Sequence, residues 1–183
     1  SIFWLVPLSR IVALGFAWAF YKQMLTTDEG TPRMCEIAAH VRKGAMAYLK
    51  QQYKVVFIAF IVLALLFAFM AYVLKVQNPW VPFAFLTGGL FSGLAGFFGM
   101  KTATYASGRT ANAARTGLSP ALNVAFRSGA VMGLVVVGLG LLDIAVWFLV
   151  LNAFYQGEQA ALITITTTML TFGMGASTQA LFA

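Results

Sequence analysis

The stretch GFFGMKTATYASGRTANAARTGLSPALNVAFRSGAVMG, residues 96–133, is polar and cationic and lies between two long apolar runs. Small residues, hydroxyls and amides fill it, Asp and Glu are absent, and its cations are Lys101, Arg109, Arg115 and Arg127. Such a segment is typical of a cytoplasmic loop whose charges fix the topology of a membrane protein. It would also suit an anionic surface or ligand, so the sequence leaves two roles open for these cations.

Hydropathy on either side of this segment predicts an all-α, polytopic transmembrane bundle. The chain has 183 residues, of which 61% are hydrophobic and only 9% are charged, a composition that a soluble domain does not have. Five apolar stretches predict spans at about residues 2–24, 55–75, 80–100, 128–151 and 160–183. Each is near the ~20 residues that cross a ~30 Å hydrocarbon core.

The distribution of Lys and Arg predicts the orientation. Apart from Arg10 and Lys75, every Lys and Arg lies in or beside the connections after the first and third spans. The positive-inside bias therefore places those connections in the cytoplasm, the N-terminus outside and the C-terminus at the cytoplasmic face. The net charge of +7 then reflects two loops beside an anionic leaflet and requires no nucleic acid. We expect a multi-pass protein of the inner cell membrane.

The first cytoplasmic connection is predicted to contain an amphipathic helix over residues 31–50. Thr31 is a suitable N-cap and Pro32 suits the first helical position, after which apolar residues repeat every three or four positions. We expect this helix to lie at the interface and to bend into the second span. His40 and Cys35 are the only residues of their types, so neither a histidine–cysteine metal site nor an intrachain disulfide is predicted.

Small and polar residues indicate where the spans pack. Gly89 and Gly93 in the third span have the GxxxG spacing of close helix contacts, and Gly129 and Gly133 repeat it in the fourth. The fifth span is rich in Thr, Ser and Gly, which places it inside a bundle. Its hydroxyls either bond to helix carbonyls or line a polar path, and composition alone leaves both alternatives open.

Two ionisable residues fall within the predicted spans. Arg10 and Asp143 are each about eight residues from the outer end of their span, and therefore ~12 Å deep at ~1.5 Å per residue. Because an intramembrane charge requires a partner, we predict that they pair. A snorkelling Arg10 with a protonated or water-bound Asp143 is the open alternative.

Three segments resemble the membrane-bound, ion-translocating inorganic pyrophosphatases. GMKTATYASGRTANAAR followed by AFRSGAVMG is similar to the region between that family's third and fourth helices. MCEIAAHVRKGAMAYLKQQYK, residues 34–54, resembles the segment between its first two helices, and FGMGASTQALFA, residues 172–183, resembles its fifth helix. The matches occur in the family's order and the resemblance covers essentially the whole chain.

The resemblance implies a pyrophosphate-energised pump that moves Na⁺ or H⁺ outward, uses Mg²⁺ and in some members K⁺, and works as a homodimer of about sixteen-helix subunits. The opening SIFWLVPLSR is similar to bacterial, potassium-stimulated sodium pumps. Ser177 matches a position lining the family's ion gate. Lys101, Arg109, Arg115 and Arg127 are expected to fix topology and to brace the cytoplasmic funnel.

The family's catalytic residues and metal ligands begin after its fifth helix, so we expect this chain to be a fragment without catalytic or metal-binding residues. Mg²⁺-dependent hydrolysis needs clustered carboxylates, whereas the acids here are dispersed. They are Asp28, Glu29, Glu36, Asp143 and Glu158. The lipid bilayer and the remaining helices of the pump are the expected partners. The alternatives are a five-helix secondary transporter and a structural membrane subunit.

Overall fold

The structure, a computed structural model, describes residues 5–155 and 159–182. These residues form five α-helices and no β-strand. The helices are α1 (Leu5–Leu25), α2 (Pro32–Ala68), α3 (Val81–Ala114), α4 (Leu118–Phe154) and α5 (Gln159–Phe182). A π-helical turn, Phe69–Val73, continues α2. The all-α prediction is therefore confirmed for the described part of the chain.

Helix α2 begins as the sequence predicts but is longer than expected. Its first residue is Pro32, and the Met34 N–H donates to the Thr31 hydroxyl at 3.4 Å, so Thr31 is the N-cap. The helix continues to Ala68, so the predicted amphipathic segment and the start of the second apolar stretch belong to one helix, and the bend stays a prediction. No Pro lies between Pro32 and Pro79, so nothing in the sequence removes an intrahelical hydrogen bond there.

The prediction of a loop over residues 101–127 was wrong. α3 continues to Ala114 and α4 begins at Leu118, which leaves a connection of residues 115–117. Lys101 and Arg109 therefore lie on α3 and Arg127 lies on α4. Ala and Arg are good helix formers, and Pro120 falls in the first turn of α4, where proline is tolerated. Gly117, with φ of +151°, makes the turn between the helices.

Three helical segments are long and apolar enough to cross a membrane by length and composition. They are Pro32–Val73, Val81–Ala114 and Leu118–Phe154. At ~1.5 Å per residue, each exceeds a ~30 Å hydrocarbon core, so part of each would project beyond it. The membrane crossings of α1 and α5, and the orientation, stay predictions.

The chain divides into two compact units. Unit 1 contains residues 52–94 and 139–183 together with the N-terminal residues 1–7, and unit 2 contains residues 8–51 and 95–138. The core of unit 2 is small and joins α1, α3 and α4. It consists of Met24, Ala106, Ala113, Ala121 and Val124. The partly buried rings of Tyr21 and Tyr105 pack against this core.

In unit 1, close contacts between α3 and α5 depend on glycine. A Cβ at Gly88 would collide with the Phe172 carbonyl oxygen, and one at Gly175 would collide with the Phe85 carbonyl oxygen. A Cβ at Gly89 would collide with the Phe60 ring, so the close packing predicted for this GxxxG pair is confirmed at Gly89, whereas a Cβ at Gly93 would make an ordinary contact with the Gln179 amide at 3.5 Å. The unit's larger apolar cluster consists of Ala84, Trp147, Leu151, Ile165 and Phe172.

For the fourth helix the packing signal stays a prediction. A Cβ at Gly129 or Gly133 would meet nothing within 4 Å. Within the described residues these two glycines therefore mark no close helix contact. Gly99 on α3 does mark one in unit 2, because a Cβ there would collide with the Met132 thioether of α4.

Candidate functional site

The connection between α1 and α2 is held in a tight turn against α3. Gly30 has φ of +98°, and its N–H donates to the Asp28 carboxylate at 3.2 Å. A Cβ at Gly30 would lie 2.6 Å from Asn112 Oδ1 and 2.9 Å from the Met34 sulfur. The Asn112 amide also donates to the Asp28 carbonyl at 3.2 Å. Both the positive φ and the close approach to α3 require glycine at this position.

Glu29, in the same turn, binds two arginines from different helices. Arg42 Nη1 of α2 and Arg109 Nη1 of α3 each lie 2.6 Å from Glu29 Oε1. The three side chains are largely covered, with exposed fractions of 17% for Glu29, 21% for Arg42 and 11% for Arg109. We refer to Glu29, Arg42 and Arg109 as the shared-carboxylate cluster. It ties the α1–α2 connection to both neighbouring helices of unit 2.

Backbone and aromatic groups hold the arginines in place. Arg109 Nε donates to the Thr27 carbonyl at 2.9 Å, and its Nη1 also donates to the Tyr105 carbonyl at 2.7 Å. The Arg42 guanidinium lies 4.7 Å from the centre of the Tyr105 ring, within cation–π range. Arg109 therefore bridges its own helix and the α1–α2 connection, while Tyr105 supports both cations.

The cluster stabilises the charged form of its acid. The hydrogen bond from Arg42 is the largest cause that lowers the pKa of Glu29, and the charges of both arginines lower it further against an opposing effect of burial. Glu29 is therefore a carboxylate at neutral pH. With two guanidinium groups and one carboxylate, the cluster keeps one net positive charge.

The four predicted cations do not act as a group. Arg109 belongs to the shared-carboxylate cluster, whereas Lys101, Arg115 and Arg127 form no ion pair within the described residues. Arg115 is exposed in the α3–α4 connection, and Lys101 and Arg127 are half-buried on their helices. Sequence reasoning missed Glu29 and Arg42 as site residues. The available signal was the adjacent acids Asp28 and Glu29, which directly precede a cation-rich helix and so had their counter-ions close by in the sequence.

The intramembrane acid Asp143 lies in unit 1 and is 2% exposed. The Thr87 side chain hydrogen bonds to it, and Thr87 Oγ1 accepts a hydrogen bond from Trp147 Nε1 at 2.8 Å. The second carboxylate oxygen, Oδ2, is buried and has no hydrogen-bond partner within the described residues. Arg10 is also buried, at 6% exposure, and belongs to unit 2. The Arg10–Asp143 pair stays a prediction.

Most hydroxyls of α5 bond within their own helix. Thr166, Thr167, Thr168, Thr171 and Thr178 each donate to the carbonyl four residues earlier, at 2.7–2.9 Å. This is the first of the two alternatives left open by the sequence. Ser177 is exposed on α5, and its assignment to an ion gate stays a prediction.

Comparison with known proteins identifies the family. A family model described as inorganic H⁺ pyrophosphatase matches residues 11–183. The chain belongs to this family. The match agrees with the family resemblance found in the sequence.

Relatives of this pyrophosphatase chain include both sodium and proton pumps. It is 66% identical over 186 residues to a putative K(+)-stimulated pyrophosphate-energized sodium pump of Bacteroides thetaiotaomicron, covering 100% of this chain and 25% of that protein. A K(+)-stimulated sodium pump of Thermotoga maritima is 42% identical over 153 residues, covering 82% and 20%. A K(+)-insensitive proton pump of Chloroflexus aurantiacus is 35% identical over 196 residues, covering 98% and 24%. The chain spans about a quarter of the length of these curated relatives.

The described part of this pyrophosphatase chain does not fit a catalytic Mg²⁺ site. No group of three or more His, Cys, Asp or Glu residues that could hold a metal ion occurs within residues 5–155 and 159–182. Its clustered acid, Glu29, is already bound by two arginines, and Asp143 is buried beside Thr87. We therefore derive no catalytic step through Mg²⁺ from these residues.

Proposed function

We propose that this chain forms the first five transmembrane helices of a pyrophosphate-energised ion pump of the inner cell membrane. In the full-length protein, hydrolysis of inorganic pyrophosphate would drive Na⁺ or H⁺ outward. The observation that carries the proposal is the 66% identity, over all of this chain, to a putative pyrophosphate-energized sodium pump. The family match over residues 11–183 supports it independently.

Sodium is the ion we favour, with stimulation by K⁺. The relatives described as K(+)-stimulated sodium pumps are 66% and 42% identical to the chain, and the proton pump of Chloroflexus aurantiacus is 35% identical. Identity alone does not define the ion path, so the ion must be measured. Ser177, on the exposed side of α5, is the residue of this chain that we propose to line that path.

We further propose five crossings with the N-terminus outside and α5 in an inner ring of a homodimeric pump. The cations beside α2, α3 and α4 support this orientation through the positive-inside bias. The Thr, Ser and Gly content of α5 supports an inner position, because small and hydroxyl-bearing residues are enriched where membrane helices pack against one another.

Catalysis would depend on residues that this chain does not supply. Mg²⁺ would reach the site with pyrophosphate and be held by carboxylates elsewhere in the full-length protein, as phosphoryl chemistry generally requires. We propose that Arg109 braces the cytoplasmic side through the shared-carboxylate cluster, and that Lys101, Arg115 and Arg127 mainly set topology. Arg109 already makes short bonds to Glu29 and two carbonyls, so it would have to give up contacts to bind a phosphate.

Reconstitution of the full-length protein in sealed liposomes tests the proposal. In vesicles where the cytoplasmic side of the pump is exposed to the external solution, pyrophosphate added with Mg²⁺ and K⁺ should drive uptake of ²²Na⁺. An ionophore that collapses the proton gradient should leave this uptake intact. Proton uptake without sodium uptake would overturn the choice of ion. Ion movement without any dependence on pyrophosphate would overturn the proposed function itself.

A further inference from the structure

Helix α2 has one exposed side that changes from cationic to apolar along its length. Residues spaced by three, four, seven or eleven positions share a side of an α-helix. The exposed residues Lys43, Lys50, Lys54, Ile58, Ile61 and Leu65 follow this spacing. The buried residues Ala38, Leu49, Val56 and Phe60 follow it on the opposite side. The lysines therefore continue the same side that, further along, is made of exposed aliphatic residues.

The three lysines lie at different distances along α2 from the start of its apolar part. Val55 is the first residue of the predicted span, and a bilayer adds roughly 5–8 Å of headgroup region to each side of its hydrocarbon core. At ~1.5 Å per residue, Lys54 lies at that boundary and Lys50 lies about 7.5 Å before Val55. Lys43 lies about 18 Å before it and is therefore beyond the headgroup layer.

Within residues 5–155 and 159–182, no ion pair neutralises the lysines of this surface. Glu36 is the only acidic residue of α2, and it lies four turns before Lys50. Neither Lys50 nor Lys54 forms an ion pair within the described residues, in contrast to Arg42, which is bound to Glu29.

We propose that Lys50 and Lys54 form a binding surface for the phosphate groups of anionic phospholipids. The inference rests on the proposed crossing of α2 and goes beyond the pump activity. Charge complementarity and continuity with the exposed apolar side select lipid over other occupants. A lysine near a membrane surface raises the local preference for anionic lipid roughly fivefold. The two lysines together should therefore recruit such lipid well above its bulk fraction.

The test uses the full-length protein in nanodiscs of phosphatidylcholine with a minor fraction of spin-labelled phosphatidylglycerol. Electron paramagnetic resonance measures the fraction of labelled lipid immobilised at the protein. We expect Lys50→Gln with Lys54→Gln to lower the selectivity for the anionic lipid about tenfold or more. The matched control, Lys43→Gln, removes a lysine from the same side of the same helix and should change selectivity less than twofold. Labelled phosphatidylcholine should respond to neither change.

Three results would overturn the inference. The first is an unchanged selectivity in the double variant, and the second is an equal loss in Lys43→Gln, which would indicate a general charge effect. The third is efficient cross-linking of a cysteine at position 50 to protein, because another segment or a second copy would then cover the surface.

The crossing of α2 is checked separately in a Cys35→Ser background. Cysteines placed at Lys43 and at Val76 should react with an impermeant reagent from opposite sides of the membrane. Failure of this labelling would refute the proposed topology. Correct labelling with unchanged lipid selectivity would refute the lipid surface alone.

Discussion

Replacing Glu29 with Gln removes the one charge that both arginines of the shared-carboxylate cluster bind. The side chain keeps its size, so the change tests the charge and not the packing. The bonds of 2.6 Å from Arg42 and Arg109 would each exchange an ionised carboxylate oxygen for a neutral amide oxygen. Two largely covered guanidinium groups would then remain close together without a counter-ion.

The expected loss in free energy of unfolding follows from these contacts. A hydrogen bond to a charged group contributes about 1.5–3 kcal/mol, and partial exposure to water favours the lower end of that range. For two such bonds we expect Glu29→Gln to destabilise the full-length protein by about 3 kcal/mol. Arg109 keeps its bonds to the Thr27 and Tyr105 carbonyls, so the cluster should loosen without the helices separating.

Denaturation in mixed detergent micelles at neutral pH measures this loss. Glu36→Gln is the matched control, because it removes an exposed glutamate of α2 that forms no ion pair within the described residues. It should change stability by less than about 0.5 kcal/mol. Equal losses in the two variants would refute the reasoning.

The pH dependence gives a second check on the same variant. The pKa of Glu29 is lower in the folded protein than its ordinary value of 4.5. Its stabilising contribution is therefore fully present above about pH 4.5 and is lost as the pH falls through the lower, folded pKa. The wild type and Glu29→Gln should differ in stability at neutral pH and converge in acid. A gap that stayed constant below pH 4 would contradict this assignment.

Three further predictions concern packing and activity. Gly175→Ala should destabilise the protein by about 1–3 kcal/mol in the same denaturation assay, because the new Cβ meets the Phe85 carbonyl, whereas Gly15→Ala on α1 meets nothing within 4 Å and serves as the control. Arg109→Ala in the full-length pump should reduce the yield of folded protein while the KM for pyrophosphate changes less than about threefold; a large rise in KM with normal folding and kcat would make Arg109 a substrate-binding residue. The 183-residue chain alone, reconstituted with Mg²⁺ and pyrophosphate, should release no phosphate above a no-protein control, and any turnover would show that its residues suffice for catalysis.

Hydropathy predicted the helices better than it predicted their ends. Each predicted span overlaps one helix. A long apolar run with few charges forms a helix because a helix satisfies all backbone hydrogen bonds within the segment. The ends were missed where the sequence becomes polar, as at residues 101–114 of α3 and 118–127 of α4. The Ala, Arg and Thr residues of these segments are compatible with both a loop and a solvated helix. In the structure the whole change of direction takes place in the short turn at Gly117, so the residues on either side remain helical.

The shared-carboxylate cluster was beyond sequence reasoning for a different reason. Glu29 and Arg109 are separated by 80 positions and come from different elements. The distribution of Lys and Arg predicted that the cations lie on one side of the membrane. It gave no information about which acidic residue each cation binds. The folded turn at Gly30 is what brings the carboxylate to α3, and its close approach to Asn112 has no signature in composition.

One oxygen atom accepts bonds from both arginines, and this geometry has a consequence for how the site can vary between related proteins. Either arginine can be lost while the other still neutralises Glu29, so the two cations partly substitute for one another at the acid. The glutamate has no such substitute. Substitutions at positions 42 and 109 should therefore be coupled, with a double change that costs more than the sum of the single changes, and Arg109 should be the costlier of the two because it also binds the Thr27 and Tyr105 carbonyls. A second substitution that restores stability to a Glu29 variant would have to place a new acidic residue near Arg42 and Arg109. The α1–α2 connection, which carries Glu29 itself, is the segment best placed to supply it.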